Sequence, residues 1–287
     1  KKFIRNHASN YDAIHVHGNA LTYIVPLMFA KKYKIPVRIM HIHNTKANGI
    51  RARRMHGINK RFIARYCTVM LACSKKAGMF GFGDRPFQVL NNAMDLKEIK
   101  SSCCAARNEF GISKNAFVVG HVGRFIPVKN HKFVVDIFKA VSERRKDSRL
   151  LLVGSGPMRE EIQDYVHMQG LSEKVLFLGD RKDVESILKT VDCVVFPSLY
   201  EGVPLVVLES QACEKKVLCS DNVDSSVKIT PYVQFLSLEK SEKEWADKLL
   251  EFHEKEISCD INAAFKEASY DMESVLFDLY KIYGLDN

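Results

Sequence analysis

At 287 residues the chain has room for one large or two ordinary domains, and 46% hydrophobic with 27% charged residues is the balance of a globular protein. No apolar run approaches the roughly 20 residues that span a bilayer, and the opening Lys1-Lys2-Phe3-Ile4-Arg5-Asn6-His7 lacks the apolar core of a signal peptide. The net charge of +9 is lopsided: residues 1–66 hold fourteen of the 43 Lys and Arg but only one of the 34 acids, Asp12. Such asymmetry points to an anionic partner for the first segment. No nucleic-acid motif accompanies it, so nucleic acid is set aside. An anionic leaflet surface, or a lipid phosphate held in it, fits better, with a solvated basic face as the plainer alternative. The eight Cys form no CxxC pair and read as reduced, mostly buried thiols of a cytosolic protein.

In chain order, residues 11–18 read as a strand entering a loop. Residues 19–34 read as a mostly apolar helix stopped before Pro36, and 37–43 as a second strand. Strand, helix, strand is a βαβ unit and predicts a parallel sheet. Residues 51–65 form a basic amphipathic helix that could lie against anionic lipid, though its apolar stripe, Ile58, Phe62 and Ile63, is expected rather to pack on its own domain. His15-x-His17 and His41-x-His43 each offer two imidazoles on one strand face. With no Cys or carboxylate at ligand spacing nearby, no metal is assigned. Residues 69–73 are a third strand, after which Ser74 caps a helix. The polar stretch over 97–108 reads as an interdomain connection.

From Ala116 the βα rhythm resumes, with strands over 117–122, 150–153, 175–178, 193–196 and 217–219, a doubly wound domain. The first of these strands runs into Gly123-Arg124-Phe125-Ile126-Pro127-Val128-Lys129-Asn130. Gly123 lets the backbone pass close to a ligand. Arg124 and Lys129 flank the loop mouth, where two positive charges can meet a diphosphate, and Asn130 is the expected cap of the next helix. Leu152-Val153-Gly154-Ser155-Gly156-Pro157 is a second strand end with a Gly turn.

The stretch VDCVVFPSLYEGVPLVVLESQAC, residues 191–213, is a buried strand, a polar turn with Gly202 and Pro204, and a helix from about Leu205. Glu201 lies in the turn and Glu209 more than one turn inside the helix, where side chains lean back toward the N-terminus. Both carboxylates can therefore address the space above the strand's carboxyl end, where open α/β sheets bind ligands. Free N–H groups of the turn from Gly202 to Val206 favour an anion at the same place. A phosphorylated sugar suits both: carboxylates accept from hydroxyls while amides take the phosphate.

PSLYEGVPLVVLESQAC resembles the E-x7-E signature of retaining GT-B glycosyltransferases of family 4 (group 1), of the bacterial exopolysaccharide or capsule biosynthesis type. The likeness runs over nearly the whole chain. It implies an α/β GT-B fold of two Rossmann-like domains with parallel sheets. An acceptor-side domain would occupy 1–97 and a nucleotide-sugar-binding domain 98–270, with a terminal helix over 271–287 crossing back to the first. Family members open with a Gly-rich loop after their first strand; none is found here, so the first domain is expected to be incomplete or completed by another chain.

By resemblance Glu201 faces the donor sugar and Glu209 holds the ribose hydroxyls. Gly123, Arg124 and Lys129 match the G-R-x4-K element that steadies the leaving diphosphate. Gly154 sits in an L-V-G-x-G-P element beside the nucleotide, Arg181 lies near the base, and Gly202, Val203, Pro204 and Leu205 border the donor. His43, in Met40-His41-Ile42-His43-Asn44-Thr45, hydrogen-bonds the donor sugar. The implied reaction moves a sugar from a UDP-sugar to a glycan or polyprenyl-linked acceptor, with retention and without metal or cofactor. Its implied setting is the cytoplasm, peripheral to the inner face of the membrane. The alternative is a non-catalytic nucleotide-sugar-binding half of a split enzyme. One departure stands out: Glu214 occupies the place of the Gly that follows the E-x7-E helix, so a different helix end is expected.

Overall fold

The computed structural model describes residues 1–104 and 107–285. Two units, each with its own parallel sheet, divide the chain: Lys1–Ala93 with the segment from Ser269, and Met94–Ala268.

In the first unit β1 (Ala13–Gly18), β2 (Val37–Ile42), β3 (Val69–Ala72) and β4 (Gln88–Val89) pair in parallel in that order. Steps that all run the same way, with right-handed crossovers, place the connecting helices on a single face. Side-chain alternation divides the core accordingly. Met40 and Ile42 pack with Leu21, Ile24, Leu27, Ile63 and Phe82 on one side. Ile39 and Leu71 face the other, where Val275, Leu279 and Ile282 of the helix Met272–Tyr283 cover them. Asp271 caps that helix by accepting from the Ser274 amide.

Local details differ from expectation. The helix expected over 19–34 is shorter, Val25–Lys32, because Pro26 fits only a first turn and the chain from Gly18 spends several residues in turns. The helix Ile50–Phe62 is inverted. It buries His56 and Asn59, which bond the Leu21 backbone at 3.1 and 2.7 Å, and leaves Ile58 and Phe62 exposed; only Ile63, just past its end, enters the core. The polar pair matches a loop's free N–H and C=O, which an apolar face cannot do. Ser74 caps its helix, accepting from the Ala77 amide.

In the second unit β5 (Phe117–Val122), β6 (Ser148–Val153), β7 (Val175–Gly179), β8 (Cys193–Phe196), β9 (Lys216–Ser220) and β10 (Val233–Leu236) form a sheet ordered β7-β6-β5-β8-β9-β10. β10 is a strand that the sequence reading missed. The order reverses direction between β5 and β8, which makes that gap the topological switch point. The core includes Phe138, Leu150, Leu152, Val195 and Trp245. Part of the stretch expected as a bare connection is helical: Asp95 accepts from the Lys97 and Glu98 amides and starts the helix Leu96–Ser101. Residues 105 and 106 of that stretch, and 286 and 287 of the terminal one, lie outside the described residues.

All eight cysteines are reduced, and Cys73, Cys193, Cys213 and Cys219 are buried. Among the described residues no helix is long and apolar enough to cross a membrane.

Candidate functional site

At the switch point the loops after β5 and β8 are stitched together. The Leu199 amide donates to the Val128 carbonyl at 2.8 Å, and Asn130 Nδ2 donates to the Pro197 carbonyl at 3.2 Å. Asn130 is thus not the side-chain cap expected. It is left-handed, at φ 56°, and its amide group ties the two loops. Above these contacts Lys129 Nζ pairs with Glu201 Oε1 at 2.8 Å, both side chains mostly buried, and Nζ also lies 4.6 Å from the centre of the Phe196 ring. Arg124 is exposed on the same loop, and among the described residues it makes no ion pair.

The neighbouring loops close on this spot through glycine. Gly154 has φ 128°, and a Cβ there would stand 2.3 Å from the Gly123 carbonyl oxygen; its own amide donates to the Gly179 carbonyl. Gly156 is equally constrained, since a Cβ would meet the Phe125 backbone at 2.6 Å. The carboxyl ends of β5, β6 and β7 therefore approach more closely than side chains would allow. At Gly123 a Cβ would press on the Lys129 side chain at 3.0 Å.

On the β8 side Glu201 forms a lone parallel bridge with Val223, and the Asp224 amide donates to the Gly202 carbonyl at 3.3 Å. Val203 and Pro204 are buried and Leu205 is exposed; Pro204 is the cap residue rather than the first helical one. The helix Leu205–Ala212 has first-turn amides without intrahelical acceptors, as every helix start does. Glu209 is half-buried on this helix. Burial, with the Glu185 carboxylate adding, pushes its carboxyl up to about 7. Behind it Gln211, fully buried, donates to the Val207 and Val227 carbonyls and accepts from the Ile229 and Thr230 amides. No pattern in the sequence marked Gln211, because its partners outside the helix, Val227, Ile229 and Thr230, come from a later loop.

The helix end also departs from expectation. Glu214 does adopt the left-handed conformation, φ 57°, and the Lys215 amide returns to the Ser210 carbonyl. The glycine-type turn is therefore kept with a strained residue in it. Arg181 is exposed and held by Asp183 in a two-pronged pair, 2.8 and 2.6 Å. His43 belongs to the first unit, at the end of β2, with its amide on the Gly18 carbonyl.

His43 is part of a cluster. Its Nε2 lies 2.8 Å from His17 Nδ1, His15 Nε2 lies 3.3 Å from His41 Nδ1, and His15 Nδ1 lies 2.7 Å from the Tyr283 hydroxyl. Burial first, then the neighbouring imidazoles, lowers the ring pKa of His15 to about 4 and of His41 to about 3; the same causes lower His43.

A doubly wound parallel sheet with glycine turns and a paired cation and acid at its switch point defines a Rossmann-like α/β architecture, whose crevice at the switch point is where open sheets bind ligands. The crystal structure of Anabaena HepE in complex with UDP matches with a TM-score of 0.79 at 18% identity, covering 99% of this chain and 81% of that one. The fold is GT-B, α/β with two Rossmann-like domains and parallel sheets.

The chain belongs to the family of glycosyl transferases group 1, whose profile matches residues 105–272. A protein of Bacillus subtilis (strain 168) named as the glycosyltransferase EpsF is 33% identical over 249 residues, 83% of this chain and 65% of that protein. The UDP-Gal:alpha-D-GlcNAc-diphosphoundecaprenol alpha-1,3-galactosyltransferase of Escherichia coli is 28% identical over 216 residues, 70% of this chain and 56% of that one. The match thus spans less than two thirds of either relative.

Proposed function

We propose that the chain is a retaining glycosyltransferase of family 4 that moves a sugar from a UDP-sugar to a glycan or polyprenyl-linked acceptor in polysaccharide biosynthesis. The observation that carries this reading is the 2.8 Å pair of Lys129 and Glu201 at the mouth between β5 and β8. It puts a phosphate-binding cation and a hydroxyl-accepting carboxylate within one sugar's reach. An arriving UDP-sugar would exchange this internal pair for two external ones, the diphosphate on Lys129 and a sugar hydroxyl on Glu201.

The division of labour follows from where charge changes. As the glycosidic bond breaks, negative charge grows on the leaving diphosphate. Arg124, Lys129 and the amides from Gly202 to Val206 then stabilise the transition state more than the ground state. Gly123, Gly154, Val203, Pro204 and Leu205 shape the approach of the nucleotide, Glu209 accepts from the ribose hydroxyls, and Arg181 lies toward the base. His43 is assigned a hydrogen bond to the donor sugar. The reaction as proposed uses no cofactor. Retention rests on the family resemblance.

The exposed Ile50, Met55, Ile58 and Phe62 beside Arg51, Arg53, Arg54 and Arg61 support peripheral binding of the first unit to an anionic membrane. The chain would work at the cytoplasmic face.

Calorimetric titration with UDP-, GDP- and ADP-sugars, followed by proton NMR of the product's anomeric centre, tests the proposal. A UDP-sugar should bind and its α-anomeric configuration persist in the product. Inversion, or preference for a GDP- or ADP-sugar, would sink it. Binding without transfer to any lipid-linked acceptor would point instead to a nucleotide-sugar-binding half that needs a complementing chain.

A further inference from the structure

We infer that the carboxyl end of the first unit's sheet carries a binding site for one divalent cation of the zinc class, held by His15, His17 and His41. The β1–β2 register pairs His17 with His41, and alternation puts His15 on the same face. Each of the three offers a ring nitrogen within 4.8 Å of the other two. Between two of the rings, His15 Nε2 and His41 Nδ1 are 3.3 Å apart. Nitrogens about 2.0–2.1 Å from a tetrahedral zinc ion stand about 3.3 Å from each other, so this pair is already at chelating separation.

Hydrogen bonding within the protein engages His15, His17 and His43 but leaves one side of His41 unused: the residue is 4% exposed, and among the described residues its Nε2 has no hydrogen-bond partner. Zinc on His41 Nδ1 leaves that Nε2 as it is; the donor set is what favours the ion, because imidazole suits zinc, nickel and copper far better than magnesium or calcium.

The surroundings match those of a metal-bound imidazole. The Tyr283 hydroxyl, 2.7 Å from His15 Nδ1, can accept that N–H and leave the Nε2 lone pair directed at His41. His43 braces His17 in the same way at 2.8 Å. His17 is exposed, which gives an ion a way in and keeps a coordination position open to water. All of these residues belong to one unit, so the site is complete within it. It stands independently of the transferase reading.

Zinc titration of the tag-free full chain by calorimetry, with visible absorption of the cobalt-loaded protein as a second readout, decides the matter. The chain should take up one ion. His15→Ala and His41→Ala should weaken binding by at least about tenfold, and Tyr283→Phe by about tenfold. His17→Ala, at an exposed position, guards against a variant that simply fails to fold. His167→Ala, exposed in the second unit, should leave the affinity unchanged. No uptake of zinc by the wild-type chain, or equal affinity in wild type and His17→Ala, would overturn the inference.

Discussion

Lys129 Nζ lies 2.8 Å from Glu201 Oε1, so a cation from the loop after β5 and an acid from the turn after β8 share one half-buried spot. Each neutralises the other, which offsets part of the cost of taking two charges out of water.

Removing the cation should slow chemistry. On the proposed function, Lys129→Ala would delete one charge-assisted contact to the diphosphate, worth about 1.5–3 kcal/mol. Steady-state transfer should fall about 10- to 150-fold in kcat. An unchanged kcat with a raised KM would mean that Lys129 only binds.

The two acids should separate in their effects. Glu201→Ala is expected to abolish transfer while UDP affinity stays within about threefold, whereas Glu209→Ala should cost affinity directly. Calorimetry on both variants checks this. Equal loss of nucleotide affinity would show the division of roles to be wrong.

Glu209 should make stability depend on pH. Its folded carboxyl is pushed up to about 7 from an ordinary 4.5, so the folded state holds a proton that the unfolded chain has released. Stability from this group is present below about 4.5, falls as pH rises to about 7, and stays lost above it. Glu209→Gln should raise Tm more at pH 8 than at pH 5. A ribose bound to the carboxylate would favour the ionised form, so nucleotide binding near pH 6.5 should release protons, detectable as a buffer-dependent enthalpy.

Gly154→Ala should be costly. The new Cβ would meet the Gly123 carbonyl at 2.3 Å, on backbone at φ 128°. A loss of at least about 2 kcal/mol would lower Tm by about 4–8 °C. An unchanged Tm would mean that the loops after β5 and β6 can part without strain.

Glu214→Gly should stabilise. The residue sits at φ 57°, where a side chain costs about 1 kcal/mol or more. Relief of that strain, less the added chain entropy of Gly, predicts a gain of about 0.5 kcal/mol. Differential scanning calorimetry would register it as a rise in Tm.

Much of the fold could be read locally. Apolar runs such as Leu150-Leu151-Leu152-Val153 and Cys193-Val194-Val195-Phe196 mark buried parallel strands whatever their partners, because both faces must be covered. The loop after β5 and the turn after β8 stood out through residue type and spacing, and the structure brings their Lys129 and Glu201 together. Errors arose where one residue's role depends on a distant one. Asn130 looked like a cap but serves Pro197, and the apolar residues of Ile50–Phe62 looked inward-facing although His56 and Asn59 answer the Leu21 backbone.

What the amino-acid order determined by itself is the α/β rhythm, the glycine turns and the charged loops, since these follow from backbone sterics and short-range periodicity. The tertiary structure alone decided that β5 lies against β8, which brings Lys129 to Glu201, and that β1 lies in register with β2, which turns two separate His-x-His pairs into one cluster. Strand order and register depend on which faces bury together across long stretches of chain, and a periodicity of two says which side a residue faces but not what it meets there.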